Sequence, residues 1–319
     1  MQIYVSGSLA YDRIMTFGGR FSDHILPDKI HMLNVCFNVD GLQEWLGGTA
    51  GNIAYGLSQL GETPVVLACL GKDGARYLDW LRLNGIETRC VKQVDEHYTA
   101  GAFITTDQAR NQITGFNPGA MLASCCFDCA GLDPADSLVI VSPGNFEDMT
   151  GLPAQCRKLQ IPFIFDPGQA LNILEGPVLH EAFSGAMALI SNDYELELIC
   201  RKTELDQAGL LKEVGAIITT QGDQGSVVIT PQQSVRIPVV RASSVLDPTG
   251  AGDAYRGGLL KGLALGLDLA QASVWGAALA SFAVACHGTQ EYSLDRAEFD
   301  ARLAAARTEF ARLNPGVAV

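Results

Sequence analysis

Residues Asp247-Pro248-Thr249-Gly250-Ala251-Gly252-Asp253-Ala254 place a turn, two glycines and a carboxylate directly ahead of an apolar, small-residue run that reaches Ala264. A turn feeding a helix leaves the first backbone N–H groups without partners inside the helix, and the helix dipole makes that end attractive to anions. Gly250 and Gly252 permit close backbone approach. A carboxylate at Asp253 holds a phosphate poorly, but it can take a proton from a hydroxyl that attacks one. The chemistry this predicts is phosphoryl transfer. The bland alternative is a Pro-Thr-Gly turn followed by a capping Asp.

Three further segments occur in order along the chain: Gly47-Gly48-Thr49-Ala50-Gly51-Asn52-Ile53-Ala54, Asn192-Asp193-Tyr194-Glu195 and Thr220-Gln221-Gly222-Asp223-Gln224-Gly225. Alone, Asn52 reads as a helix N-cap, Asp12 as a turn residue and N-D-Y-E as a cap with a solvated turn. Together with the segment around Asp253, they resemble the two signatures, the N-x-x-E motif and the T-x-G-x-x-G motif of the ribokinase-like (PfkB) carbohydrate and nucleoside kinases. The resemblance implies that Asp253 is the base and that backbone donors of Gly250, Ala251 and Gly252 surround the transferred phosphoryl. It implies that Asn192 and Glu195 organise Mg²⁺, with Glu195 acting through water, and that Thr220, Gly222 and Gly225 lie along the phosphates of ATP. Asp12 and Asn52 would contact sugar hydroxyls, Gly48 would let the ribose approach, and Ser8 would add a polar contact.

Gly115-Phe116-Asn117-Pro118-Gly119-Ala120-Met121, Asn192-Asp193-Tyr194-Glu195, D-P-T-G-A-G-D-A-Y-R and Gly288-Thr289-Gln290-Glu291 together look more like the bacterial adenosine kinases than the ribose or fructose kinases of that family. This implies transfer of the ATP γ-phosphate to the ribose 5′-hydroxyl of adenosine, giving AMP and ADP. Phe103 and Phe116 would enclose the purine, and the turn at His287-Gly288-Thr289 would lie near the adenine of ATP. A sugar kinase is the nearest rival. A ligand-binding protein that kept the fold without turnover is the alternative from another class.

The elements that must position these residues follow the same plan. Ile3–Val5, Val65–Ala68, Leu138–Val141, Phe163–Phe165, Ala188–Ile190 and Ala216–Thr219 are near-continuous apolar strands. Helical stretches such as 52–60, which stops at Gly61, lie between several of them. Such alternation predicts an α/β fold with a mostly parallel sheet covered on both faces. The resemblance makes it a ribokinase-like three-layer αβα sandwich with a small β lid. Residues 13–46, including Met32–Val39, and 97–116 break the rhythm with antiparallel strand character and are the expected lid. Residues 1–319 are expected to form one kinase domain.

The chain has 319 residues, 48% hydrophobic and 18% charged, with a formal net charge of −13. This acidity argues against nucleic acid or an anionic membrane surface as a partner. The opening Met1-Gln2-Ile3-Tyr4-Val5 reads as strand rather than signal peptide, and no apolar run suits a membrane span. Nine scattered cysteines suit reduced thiols, and a cytoplasmic location is expected. Cys125, Cys126 and Cys129 are the one tight cluster, which reads as structural without a second pair. Association of copies through the lid is left open.

Overall fold

The apolar strands assemble around a central sheet in a computed structural model that describes residues 1–25, 27–32 and 34–317. The first half of the chain contains β1 (Gln2–Ser6), β2 (Ala10–Phe17), β3 (Val39–Gly47), α1 (Thr49–Gln59), β4 (Val65–Gly71), α2 (Ala75–Leu83) and β5 (Val91–Val94). It continues through β6 (Ala100–Thr106), β7 (Gln112–Asn117), β8 (Ser137–Val141) and α3 (Phe146–Leu159). Next come β9 (Phe163–Phe165), α4 (Gly176–Phe183), β10 (Ala188–Asn192), α5 (Asp193–Thr203), α6 (Gln207–Glu213) and β11 (Ile217–Thr220). A hairpin of β12 (Ser226–Ile229) and β13 (Ser234–Ile237) precedes α7 (Ala251–Ala264), α8 (Leu269–Ala283) and α9 (Arg296–Leu313).

Among the described residues, nine strands form one sheet in the order β13-β12-β11-β10-β9-β8-β1-β4-β5. All neighbours from β11 to β5 pair in parallel, and the hairpin adds an antiparallel edge. Alternate side chains of each strand enter two different cores. Ile3 and Val5 pack with α1, α2, α7, α8 and α9, while Tyr4 faces the side covered by α3 to α6. This is a three-layer α/β sandwich. The chain starts at β1, builds outward through β4 and β5, then returns to β8 on the other side. Crevices beyond the carboxyl ends of such strands are where open α/β sheets bind ligands.

A second sheet, in the order β3-β2-β6-β7, forms largely from the segments expected to make the lid. One part of it departs from expectation. Met32 ends a short 3-10 turn begun at Pro27, residues 34–38 have no regular structure, and the strand starts at Val39; Leu33 lies outside the described residues. Strand propensity yields here to packing. The ring of Phe37 joins Phe17, Phe21 and His24, with centroids 4.8, 5.1 and 5.9 Å away.

Candidate active site

The first turn of α7 is shaped by Gly250, whose φ of +78° is a conformation glycine adopts at little cost. A Cβ there would press on Thr289 Cγ2 at 2.7 Å. Among the described residues, the N–H groups of Gly250, Gly252 and Asp253 have no protein acceptor, while that of Ala251 reaches the Pro248 carbonyl at 3.2 Å. The open donors are therefore those of the two glycines and Asp253, and Ala251 is partly occupied by its own turn. Asp253 Oδ2 accepts a hydrogen bond from Asn52 Nδ2 at 2.8 Å. Burial pushes the Asp253 carboxyl up to about 6, with Arg256 and Asn52 pulling it down and Asp166 and Glu195 pushing it further up. A carboxylate poised there can accept a proton near neutral pH.

Asp166 and Arg256 complete this end of the site; in the sequence Arg256 stands at the end of D-P-T-G-A-G-D-A-Y-R with no role of its own, and Asp166 stands in no motif. Arg256 Nε and Nη2 hold Asp166 Oδ2 and Oδ1 at 2.6 and 2.7 Å, and its Nη1 donates to the Gly252 carbonyl at 2.9 Å. Both side chains are buried. The available signals were a carboxylate directly after the apolar strand Phe163–Phe165 and a cation three positions beyond Asp253 in a helix otherwise rich in small and apolar residues.

Asn192 and Glu195 form a capping box on α5: Asn192 Oδ1 accepts from Glu195 N at 2.7 Å, and Glu195 Oε2 accepts from Asn192 N at 2.9 Å. Burial raises the Glu195 carboxyl, and Asp166 adds to the rise against the Asn192 N–H and Arg256. Crowded carboxylate oxygens are the donor type that suits Mg²⁺. Among the described residues no group of three or more His, Cys, Asp and Glu could hold a metal alone. The Glu195 carboxylate is an oxygen donor of the kind Mg²⁺ takes when phosphates and water fill the rest of its shell.

Thr220 pairs with Asn192 across the carboxyl ends of β11 and β10. Gly222, at φ +58°, has a conformation glycine adopts at little cost and open space where a Cβ would be. Gly225 differs: at φ +88° its missing Cβ would collide with the Ile237 carbonyl on β13, so the fold itself requires this glycine.

At the lid end, cross-strand pairing decides which side chains share a face. Asp12 lies within β2 rather than in a turn, opposite Trp45 on β3 and Ala102 on β6, and Ala102 is opposite Phe116 on β7. Trp45, Asp12 and Phe116 therefore project from one face. That face is turned toward Asp247 and Gly288: burial and then the Asp247 charge raise the Asp12 carboxyl, and Trp45 lies against Gly288. Trp45 was absent from the sequence expectations. Phe103 belongs to the neighbouring row and projects from the opposite face, where the Arg13 guanidinium lies 5.2 Å from its ring centre. It is therefore separated from Asp12 by the sheet.

Other expectations are corrected locally. Asn52 is the fourth residue of α1, not its cap; the cap is Gly48. Ser8 Oγ accepts from Thr49 N at 3.0 Å, so this hydroxyl serves the start of α1. A Cβ on Gly48 would meet the Ser8 carbonyl at 2.6 Å, and one on Gly47 would meet Asp12 Oδ2 at 2.5 Å. Gly48 therefore admits protein backbone, and Gly47 admits the Asp12 carboxylate. Thr289 and Gln290 pack behind Asn52, at the Asp253 end of the site. Cys125, Cys126 and Cys129 precede β8 with unlike exposures, and Cys129 is part of the core.

The sequence pattern of the pfkB family carbohydrate kinases matches residues 13–296. The chain is 31% identical over 293 residues to a nucleoside kinase of Methanocaldococcus jannaschii, covering 88% of this chain and 92% of that one. It superposes with a TM-score of 0.84 and 39% identity on a Burkholderia thailandensis nucleoside kinase in complex with inosine, covering 95% of this chain and 97% of the other. For the same enzyme in complex with ADP-inosine the TM-score is 0.81 at 40% identity, with 95% of each chain covered. No described helix is long and apolar enough to cross a membrane.

Proposed function

The chain belongs to the PfkB family of carbohydrate kinases, and from that premise we propose that it transfers the ATP γ-phosphate to the ribose 5′-hydroxyl of a purine nucleoside. Asp253 takes the proton of the attacking hydroxyl, and the open N–H groups of Gly250 and Gly252 receive the charge that builds on the transferred group. Mg²⁺, when bound near Glu195, would neutralise phosphate charge. Arg256 holds the Gly252 carbonyl and so fixes the turn that presents those donors. Asp12 accepts hydrogen bonds from the ribose hydroxyls at the lid end.

The observation that carries the nucleoside reading is the row on the lid, where the Asp12 carboxylate lies between Trp45 and Phe116 on one face. A carboxylate suits sugar hydroxyls, and flanking aromatic rings suit the flat apolar faces of a base. Inosine in the Burkholderia relative supports the same class. Adenosine, the acceptor implied by the sequence resemblance, shares the purine and the 5′-hydroxyl with inosine. The test is ATP-dependent turnover of adenosine, inosine, ribose and fructose by the purified chain. We expect kcat/KM on both nucleosides to exceed that on either sugar by at least about tenfold, the scale of one stacking contact. A higher value on ribose or fructose would replace the nucleoside reading with the sugar-kinase one.

A further inference from the structure

Behind Asp253 a chain of buried amides and hydroxyls runs back to an indole. Asn52 donates through Nδ2 to Asp253 Oδ2, and its Oδ1 lies 2.8 Å from Thr289 Oγ1 and 3.0 Å from Gln290 Nε2. Gln290 is fully buried, and its Nε2 also donates to Tyr77 Oη at 2.7 Å. Tyr77 Oη donates in turn to the Gly47 carbonyl at 2.5 Å, where β3 leaves the lid. Trp80 Nε1 donates to Gln290 Oε1 at 3.0 Å. The helix admits this chain only because Gly51 has no side chain, since a Cβ there would collide with the Tyr77 hydroxyl.

Donor and acceptor identities give the chain a direction. An indole N–H can only donate, so the group of Gln290 that faces Trp80 must be its carbonyl oxygen. Tyr77 spends its one proton on Gly47, so it too requires the Gln290 NH₂ group. That NH₂ then faces Asn52, which must offer its oxygen and turn its own NH₂ toward Asp253. The opposite orientation of Asn52 would set an oxygen against the carboxylate, a contact that only a protonated Asp253 could satisfy.

We propose that Gln290, oriented by Trp80 and Tyr77, fixes which end of the Asn52 amide faces Asp253 and so keeps this aspartate in its proton-accepting form. Trp80 and Gln290 are positioning residues, since both act through Asn52. The proposal rests on the reading of Asp253 as the base. The other groups that act on Asp253 are Arg256 on α7, Asp166 after β9, Glu195 on α5, and the phenols of Tyr77 on α2 and Tyr292 before α9. Arg256, Asp166 and Glu195 make no hydrogen bond to the Trp80–Gln290 chain among the described residues.

The test is the pH profile of kcat/KM for adenosine at saturating Mg-ATP, measured on the full chain. Trp80→Phe removes the N–H but keeps an aromatic ring over Tyr55, whose centroid lies 6.0 Å from that of Trp80. Gln290→Met removes both amide groups at similar volume. Gln290→Met should move the acid limb up by about one pH unit, lowering kcat/KM about tenfold below the wild-type midpoint, with the loss closing as the pH passes the shifted midpoint, and Trp80→Phe, which leaves Tyr77 to orient Gln290, should move it the same way by less. Trp80→Phe should shift nothing further in the Gln290→Met background, because Trp80 acts through that residue. An unmoved midpoint in folded Gln290→Met, a loss equal at every pH, or additive shifts would overturn the proposal. Asp253→Asn separates the two ways of failing. If its residual rate keeps the wild-type acid limb, the base assignment falls and this proposal falls with it. If that limb is gone there yet unmoved in both other variants, this proposal alone falls.

Discussion

Burial lifts the Asp253 carboxyl from 3.8 to about 6, so at neutral pH its ionised form is held against the preference of its surroundings. Because the folded value is raised, Asp253 adds to stability while protonated, below about pH 4, and that contribution is lost as the pH climbs through about 6. Asp253→Asn removes the ionisation. At neutral pH the variant should be more stable than wild type by up to about 3 kcal/mol in urea denaturation, and the gap should vanish below about pH 4. Its kcat should fall roughly 10²-fold or more while nucleoside binding persists. A folded variant with near-normal kcat would remove Asp253 from the mechanism. Glu195 calls for a different substitution, because its carboxylate also closes the capping box with Asn192. Glu195→Gln keeps an oxygen for that N–H, so α5 should hold. The expected change is a higher Mg²⁺ requirement and a lower kcat at nearly unchanged nucleoside affinity. An unchanged metal titration would leave the motif with its capping role alone.

Among the elements, the lid shows what pattern reading captures and what it misses. Strand character within 97–116, where β6 and β7 form, was legible, because runs of β-branched and aromatic residues are a local signal. Which face Phe103 and Phe116 occupy was not, because face depends on register with β2, and register is set by a partner many residues away. The same gap explains Gly225, whose turn was visible although the β13 carbonyl that requires it was not. Asn52 illustrates a one-turn error: its motif was recognised, but Gly48 caps the helix and moves the amide inside, toward Asp253. The register yields a paired prediction. Phe116→Ala should weaken adenosine binding by about 1–3 kcal/mol in a calorimetric titration. Phe103→Ala, on the Arg13 side of the sheet, should change it by less than about 0.5 kcal/mol. Equal losses from both variants would mean that the row containing Asp12 does not define the nucleoside face.

At the scale of the molecule, the sequence announced the sandwich through its alternating apolar strands, yet it could not announce which distant charges would meet. Asp166 and Arg256 lie 90 residues apart and touch because β9 ends beneath the first turn of α7. Two buried charges sharing two short hydrogen bonds contribute little net stability, but a partner left alone is costly. Arg256→Met should therefore destabilise the protein by about 3–5 kcal/mol at neutral pH, read from urea denaturation. It should also raise the acid limb of kcat/KM, since Arg256 is the foremost influence holding the Asp253 carboxyl down. Adding Asp166→Leu removes the stranded carboxylate, and most of the lost stability should return. The rate should not return with it, because no side chain then holds the Gly252 carbonyl and the turn that presents the open N–H groups. If Arg256→Met costs less than about 1 kcal/mol, the pair is no structural tie between sheet and helix, and if the double variant recovers full kcat, it is no support for the donors at the start of α7.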